Sequence, residues 1–276
     1  MQGNPRDPAR TPAEDAALLA YLRSLYTGVF PEDSIKAHID DYVGLTFADQ
    51  VLPTVAGAVP AGGRVLDIGC GFGGFVLAAR VLGLDAYGIE IAPFEVEFAR
   101  QRLSRAQPQD DAKVVYRQGD ALALVAEEGT FDAITLWNVL EHIGDGDALL
   151  TLAARLLKPG GVIFIICPNY AAFRDEAHYQ VPWYPLFPRY LASGYLRRQG
   201  RDPSYFETSI FYRTNWGVMR ALRRAGFELY DFSATTSMAV TPRHALTMLR
   251  HPKIYFRYYN PMKESVVLAA RKKVRS

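Results

Sequence analysis

The sequence predicts an α/β protein built on a doubly wound, mostly parallel sheet. Three observations carry that prediction. From Arg64 onward, short Val/Ile/Leu runs alternate with helical patterns, the rhythm of strands buried on both faces by helices. The first of these strands runs directly into the glycine-rich turn Gly69-Cys70-Gly71-Phe72-Gly73-Gly74. Acidic residues stand near the carboxyl ends of the first three strands, the edge where an open α/β sheet holds its ligands.

The elements follow in order. Met1 to Arg10 is polar, carries two prolines and lacks the apolar core of a signal peptide. Thr11-Pro12-Ala13-Glu14 fits a capping box, with Thr11 as N-cap, Pro12 at the first helical position and Glu14 reaching back. Leu18, Leu22 and Leu25 then share a helix face. Further helical pieces near 33–41 and 46–58 make residues 1–59 a helical cap ahead of a main domain over 60–276.

Within that domain the spacing predicts strands at Arg64–Ile68, Ala86–Ile91, Lys113–Arg117, Phe131–Leu136 and Gly161–Cys167. Helices fall between them: one from the glycine turn to about Leu82, one near 93–105 and one near 144–157. Residues 168–212 break the alternation. Twelve of these 45 residues are aromatic and five are proline, so the stretch reads as an insertion with its own small core. Helix and strand resume at Thr214–Ala225 and Phe227–Phe232, followed by a helix near 243–250 and a last strand at Ser265–Ala270.

Hydrophobic residues make up 49% of the chain and charged residues 22%, which supports a sizeable core and excludes global disorder. No run of about 18 apolar residues is present to span a membrane as a helix. The two cysteines, Cys70 and Cys167, form no Cys-x-x-Cys pair. They read as reduced thiols of a cytoplasmic protein and exclude a disulfide framework. The net charge of +2 is unevenly spread, because residues 243–276 carry nine Lys/Arg against the single acid Glu264. That stretch reads as a solvated face, or as a weak contact for an anionic lipid or substrate. No RNA-binding module accompanies it, so no nucleic-acid partner is expected.

The segment Val65-Leu66-Asp67-Ile68-Gly69-Cys70-Gly71-Phe72-Gly73-Gly74 is the first candidate site. Its glycines allow a sharp turn and close backbone approach, and the helix behind it starts with free N–H groups. Gly69, Gly71 and Gly74 also satisfy a dinucleotide spacing, so the turn alone leaves NAD open. Asp67 discriminates: an acid there repels a pyrophosphate and suits a cationic amino group. Glu90 ends the second strand, 21 residues after Gly69, where a carboxylate can accept from ribose hydroxyls. Asp120 follows the third strand and reads either as an adenine contact or as a helix N-cap.

Those segments, followed by Trp137-Asn138-Val139-Leu140-Glu141-His142 and Leu156-Leu157-Lys158-Pro159-Gly160-Gly161, resemble the class I S-adenosylmethionine-dependent methyltransferases. The resemblance covers roughly residues 60–170 and implies a seven-stranded sheet ending in an antiparallel hairpin, with S-adenosyl-L-methionine across the strand tips. It implies that Asp67, Gly69, Cys70, Gly71 and Gly73 approach the methionine part, Glu90 the ribose, Ile91 the adenine face, and Asp120 and Ala121 the adenine edge. Trp137 and Asn138 would line the sulfonium side. Asn138-Val139-Leu140-Glu141-His142 is similar to an element of the quinone O-methyltransferases, in which the first position is commonly acidic and helps the Glu and His hold a divalent metal. Here that position is Asn138, so no metal is expected.

Methyl transfer is an in-line displacement with a neutral leaving group, so alignment does most of the work and a base assists a hydroxyl acceptor. The insertion 168–212 follows the fifth strand at the ligand edge and is the candidate lid over a small or amphiphilic acceptor. His178, with Tyr179 beside it, is the candidate proton acceptor, or else both pack the insertion. His142 reads as a second base or as a structural histidine. Arg197, Arg198 and Arg201 read as solvated, or as contacts for an anionic acceptor. The expected activity is methyl transfer to oxygen, with nitrogen or carbon acceptors, an NAD-linked oxidoreductase and a noncatalytic cofactor-binding module as the other readings.

Overall fold

The computed structural model describes residues 11–124, 128–232 and 262–274. The chain opens with α1 (Pro12–Tyr26), α2 (Glu32–Val43) and α3 (Thr46–Ala58). The capping box forms as the sequence predicts: Thr11 Oγ1 accepts from the Glu14 amide at 3.2 Å, and the Thr11 amide donates to Glu14 Oε2 at 2.7 Å. Leu18 and Leu22 are buried, but Leu25 is 38% exposed and leaves the predicted stripe. Just beyond it the chain reaches Thr27 and Gly28, where α1 has ended.

The main sheet uses β1 (Arg64–Ile68), β2 (Asp85–Glu90), β3 (Tyr116–Gln118), β4 (Phe131–Trp137) and β5 (Leu157–Pro168). Between them lie α4 (Gly74–Val81), α5 (Pro93–Ala106), α6 (Ala112–Val115) and α7 (Gly146–Leu156). Single 3-10 turns span Ala121–Ala123 and Leu140–His142. The insertion contributes the short pair β6 (Arg174–Asp175) and β7 (Pro182–Trp183), then α8 (Arg189–Arg198) and α9 (Ser204–Ser209). The chain closes with α10 (Asn215–Arg224), β8 (Phe227–Tyr230) and β9 (Ser265–Lys272).

The seven strands lie in the order β3-β2-β1-β4-β5-β9-β8. The first five are parallel, and β9 runs antiparallel to both of its neighbours. The chain therefore reverses its direction of winding between β1 and β4. Helices cover both faces. One layer packs Leu136, Leu149, Leu156, Ile163 and Leu222; the other packs Val65, Val76, Ala79, Val96, Leu103 and Phe164. Burial on both sides explains why the strands read as continuous apolar runs. A third cluster, around Tyr170, Tyr179, Trp183, Leu196 and Phe206, is the insertion's own core. No helix among the described residues is long and apolar enough to cross a membrane.

One predicted strand is corrected. Lys113–Arg117 is extended only from Tyr116, because Asp111 accepts from the Lys113 amide and winds Ala112–Val115 into one helical turn. This is the edge strand of the sheet, with one neighbour to hold it extended, so a local cap prevails over apolar pattern. The predicted helix near 243–250, and most of the basic stretch that contains it, lie outside the described residues.

Candidate functional site

The reversal between β1 and β4 is the topological switch point where doubly wound sheets bind ligands. Register puts Asp67 of β1 opposite Thr135 of β4 and opposite Gly88 of β2. Thr135 Oγ1 accordingly donates to Asp67 Oδ1 at 2.6 Å. Asp67 is buried, and desolvation, helped by the charge of Glu90 and opposed by the Thr135 bond, pushes its carboxyl up to about 8.

The turn after β1 needs its glycines. Gly69, Gly71 and Gly73 take φ of 70°, 51° and 77°, the left-handed region that a side chain disfavours. Gly69 also admits a neighbour: a Cβ there would lie 2.4 Å from Val139 Cγ2. The residue after Asn138 thus leans on the glycine turn. Gly73 serves a different purpose, since a Cβ there would meet Ala99 and the Tyr116 ring at 2.7 Å. The side chain of Cys70 lodges against Gly88, where an added Cβ would come within 2.5 Å of its Sγ. Both residues pack protein against protein at this turn.

Glu90 is fixed by three amides. Its Oε2 accepts from Gly71 at 3.1 Å, and its Oε1 from Ile91 at 2.8 Å and Ala92 at 2.9 Å. Beside it stands Glu95, a residue the sequence reading passed over. Burial, then the Glu90 charge, raises Glu95 to about 7, against a lowering hydrogen bond from Tyr21. The Tyr21 hydroxyl donates to Glu95 Oε1 at 2.9 Å, and its ring stacks on Phe94 at 4.3 Å. The N-terminal helix α1 is thereby docked beside the glycine turn. Three carboxyls, Asp67, Glu90 and Glu95, crowd this turn, and burial together with the Glu90 charge keeps the proton on Asp67, and in part on Glu95, at neutral pH.

Ile91 projects from the tip of β2 with 67% exposure. Asp120 caps the 3-10 turn after β3, its Oδ1 accepting from Leu122 at 2.9 Å, and Ala121 is buried beneath it. Trp137 packs edge-on against Phe47, Phe75 and Phe232, with its indole N–H buried and without a hydrogen-bond partner. Asn138 is exposed at φ 53°, a left-handed value that Asn tolerates.

The structure brings His142 and His178 together, their Nε2 atoms 3.3 Å apart. The 3-10 turn after β4 supplies His142, and the insertion supplies His178. Hydrogen bonds join the β4 loop to the end of the insertion: Phe211 N–H donates to the Glu141 carbonyl at 2.7 Å, and Arg213 Nε to that of Leu140 at 2.9 Å. Burial and the neighbouring His178 lower His142 to about 4. Behind His178 lies Glu176, which accepts from the His178 and Tyr179 amides at 2.7 Å and 2.8 Å and from the Tyr170 hydroxyl at 2.7 Å. Burial works against its ionisation, but these bonds and the His178 imidazole outweigh it and hold the carboxyl at about 2. The Glu-x-His spacing is the sequence signal that would have marked Glu176.

Tyr179 is packed in the insertion, the second of its two readings from the sequence. It is buried in the insertion core, and its hydroxyl donates to the Asp202 carbonyl at 2.8 Å while accepting from the Phe206 amide at 2.9 Å. Burial raises its pKa to about 12. Arg197 meets Glu207 at 3.4 Å on the surface.

Comparisons with known proteins bear on the family and the fold. A family profile described as a methyltransferase domain matches residues 42–231. A ubiquinone biosynthesis O-methyltransferase of Xanthomonas axonopodis pv. citri (strain 306) is 41% identical over 111 residues, covering 40% of this chain and 45% of the relative. The matched segment thus spans less than half the length of that curated relative. Phosphoethanolamine N-methyltransferase 2 of Haemonchus contortus, solved with S-adenosyl-L-methionine, superposes with a TM-score of 0.55 at 20% identity over 96% of this chain and 59% of that one. The [4+2]-cyclase SpnF superposes with a TM-score of 0.51 at 23% identity, over 84% and 82% of the two chains. At such identities the structures attest to the fold alone, and their differing chemistries illustrate that fold does not fix the reaction.

Proposed function

From the premise that the chain belongs to the S-adenosylmethionine-dependent methyltransferase family, we propose that it transfers a methyl group to an oxygen of a small or amphiphilic acceptor, such as a metabolite, glycan or lipid precursor. The observation that carries the cofactor half is the cluster of carboxyls around Gly71: Asp67 at the tip of β1, Glu90 held by three amides, and Glu95 beside it. Asp67 and Glu95 are both pushed up, and Glu90 contributes to each. A cation bound there draws these carboxyls into their ionised form, so the cluster favours a ligand that brings positive charge and disfavours a pyrophosphate. S-adenosylmethionine brings two cationic centres, and supplies a methyl group activated on sulfur.

In this reading Asp67 pairs with the amino group, and the exposed face of Ile91 packs on the purine. Gly69, Gly71 and the Cys70 backbone leave room along the methionine part, with Gly73 holding the turn's shape. Asp120 and Ala121 border the adenine edge. Glu90 takes the ribose with what remains of its acceptor capacity. Three amides occupy about three of a carboxylate's four lone-pair positions, so one hydroxyl fits directly and a second requires an amide to yield. Trp137 and Asn138 stand at the sulfonium side.

The acceptor half rests on His142 and His178, with Glu176 orienting the second ring. Residues 168–212 act as the acceptor-side lid, and residues 1–59 as a cap whose helix α1 is held by the Tyr21–Glu95 bond. His178 Nε2 receives or steers the acceptor's proton, and the lid keeps water from the methyl carbon. The oxygen acceptor follows the named activity of the Xanthomonas relative. Two buried thiols, Cys70 and Cys167, support a cytoplasmic setting.

Calorimetric titration with S-adenosylmethionine, S-adenosylhomocysteine and NAD tests the cofactor. Micromolar binding of both adenosyl ligands and none of NAD is the expected result. Binding of NAD alone would return the glycine turn to the dehydrogenases. Mass-spectrometric screening of hydroxyl, amine and carbon acceptors for a methyl increment then tests the acceptor atom.

A further inference from the structure

A ribose offers two hydroxyls, and Glu90 has room for about one beyond the amides of Gly71, Ile91 and Ala92 that it already accepts. The next carboxyl along the chain stands at the same glycine. Glu95 lies in the first turn of α5. A Cβ added to Gly71 would come 3.4 Å from Glu95 Oε2, and beyond its chain neighbours it would meet no other atom within 4 Å. The open side of Gly71 is therefore bounded by that oxygen. Glu90 meets the glycine at its amide, and Glu95 meets it at its bare Cα.

Glu95 divides the work of its two oxygens. Oε1 accepts from the Tyr21 hydroxyl at 2.9 Å, and Oε2 carries no hydrogen bond among the described residues. The Tyr21 ring stacks on Phe94 at 4.3 Å and stands edge-on to Phe72 at 6.2 Å. The phenol that holds Glu95 is thus itself fixed by rings from α5 and from the glycine turn. A carboxylate anchored by one oxygen keeps the other aimed, with little freedom left to lose on binding. Fastening α1 would need only Oε1, and a separate ion pair already ties α1 to α5, Arg105 to Glu14 at 2.6 Å. Burial and the Glu90 charge raise the Glu95 carboxyl. A hydroxyl donated to Oε2 favours the ionised form and opposes both effects.

We propose that Glu95 is a second ribose-recognition residue: its Oε2 accepts one hydroxyl of the cofactor's ribose while Glu90 accepts the other, and Tyr21 is a positioning residue that aims Glu95. The inference rests on the cofactor reading above and adds to it the acceptor that Glu90 lacks. With it, neither hydroxyl requires an amide to leave Glu90. The cap also becomes part of the cofactor site, because α1 contributes to binding through Tyr21 without touching the ligand. A site built to receive both hydroxyls rejects a deoxyribose, which leaves one aimed oxygen unpaired.

The test is calorimetric titration of the full chain with S-adenosylhomocysteine and with its 2′-deoxy and 3′-deoxy analogues. Wild type should bind each deoxy analogue about 10–100-fold more weakly than the parent, the loss expected for a hydrogen bond to a charged group. Glu95→Ala should weaken S-adenosylhomocysteine by a similar factor, abolish one of the two deoxy penalties and keep the other. Tyr21→Phe, which frees Glu95 without removing it, should shrink that same penalty alone. Circular dichroism checks that each chain is folded. Should alanine unfold the chain, Glu95→Gln keeps an oxygen for Tyr21 and gives the same comparison through a reduced penalty. A folded Glu95 variant that keeps both penalties in full, whether or not its overall affinity falls, would overturn the inference, reduce Glu95 to a fastening for α1 and leave the cofactor reading in place. A folded wild-type chain that binds no S-adenosylhomocysteine would overturn the cofactor reading and this inference with it.

Discussion

Asp67→Asn should lose about 100-fold in affinity for S-adenosylhomocysteine and, without ligand, gain thermal stability over wild type as pH rises. The first effect follows from removing the charged partner of an ammonium in a buried setting, worth about 1.5–3 kcal/mol. The second follows from linkage. Burial raises the Asp67 carboxyl from 3.8 to about 8 in the folded chain, so the folded state holds its proton more tightly than the unfolded one. Between those two values the unfolded state binds fewer protons, and stability falls as pH increases. Asn has no proton to lose and keeps an oxygen for the Thr135 hydroxyl. The Tm advantage of the variant should therefore be larger at pH 8 than at pH 5, by scanning calorimetry of the ligand-free protein. Equal affinity in variant and wild type would remove Asp67 from the cofactor site. An advantage that does not change with pH would deny the raised carboxyl.

Gly69→Ala should cost about 2–5 kcal/mol of stability and weaken both halves of the site. A residue with a side chain at φ 70° pays about 1–2 kcal/mol. A methyl 2.4 Å from Val139 Cγ2 adds an overpacking cost of about 1–3 kcal/mol. A displacement of Val139 is felt by the Leu140–His142 turn that follows it directly in the chain. Gly83→Ala provides the comparison, because Gly83 has φ 93° with nothing within 4 Å of an added Cβ. Urea denaturation of both variants separates backbone strain from the clash, and Val139→Ala in the Gly69→Ala background should recover part of the difference. If Gly69→Ala costs no more than Gly83→Ala, the contact between the cofactor turn and the β4 loop does not matter. If Val139→Ala recovers nothing, the clash is not the cause.

Features whose causes lie within a few residues were readable directly. The capping box at Thr11 closes over three residues. The glycines of the turn announce left-handed backbone, and the central strands announce themselves by continuous burial. The edge strand β3 was misplaced because its start is set by the Asp111 cap, a signal that competes with the apolar pattern of Val114 and Val115.

The site divides in the same way. The sequence by itself determined the doubly wound sheet, the glycine turn, and the acids at the tips of β1 and β2, since strand period and turn chemistry place those groups wherever the sheet forms. Only the tertiary structure decided the rest. It set Tyr21 on Glu95 across 74 residues, and held His142 by Ser209 across 67. It also committed the Tyr179 hydroxyl to the insertion's core and turned His178 toward His142. Those encounters depend on which faces of distant elements are buried against each other, and the burial is fixed only when helices and insertion pack together on the sheet.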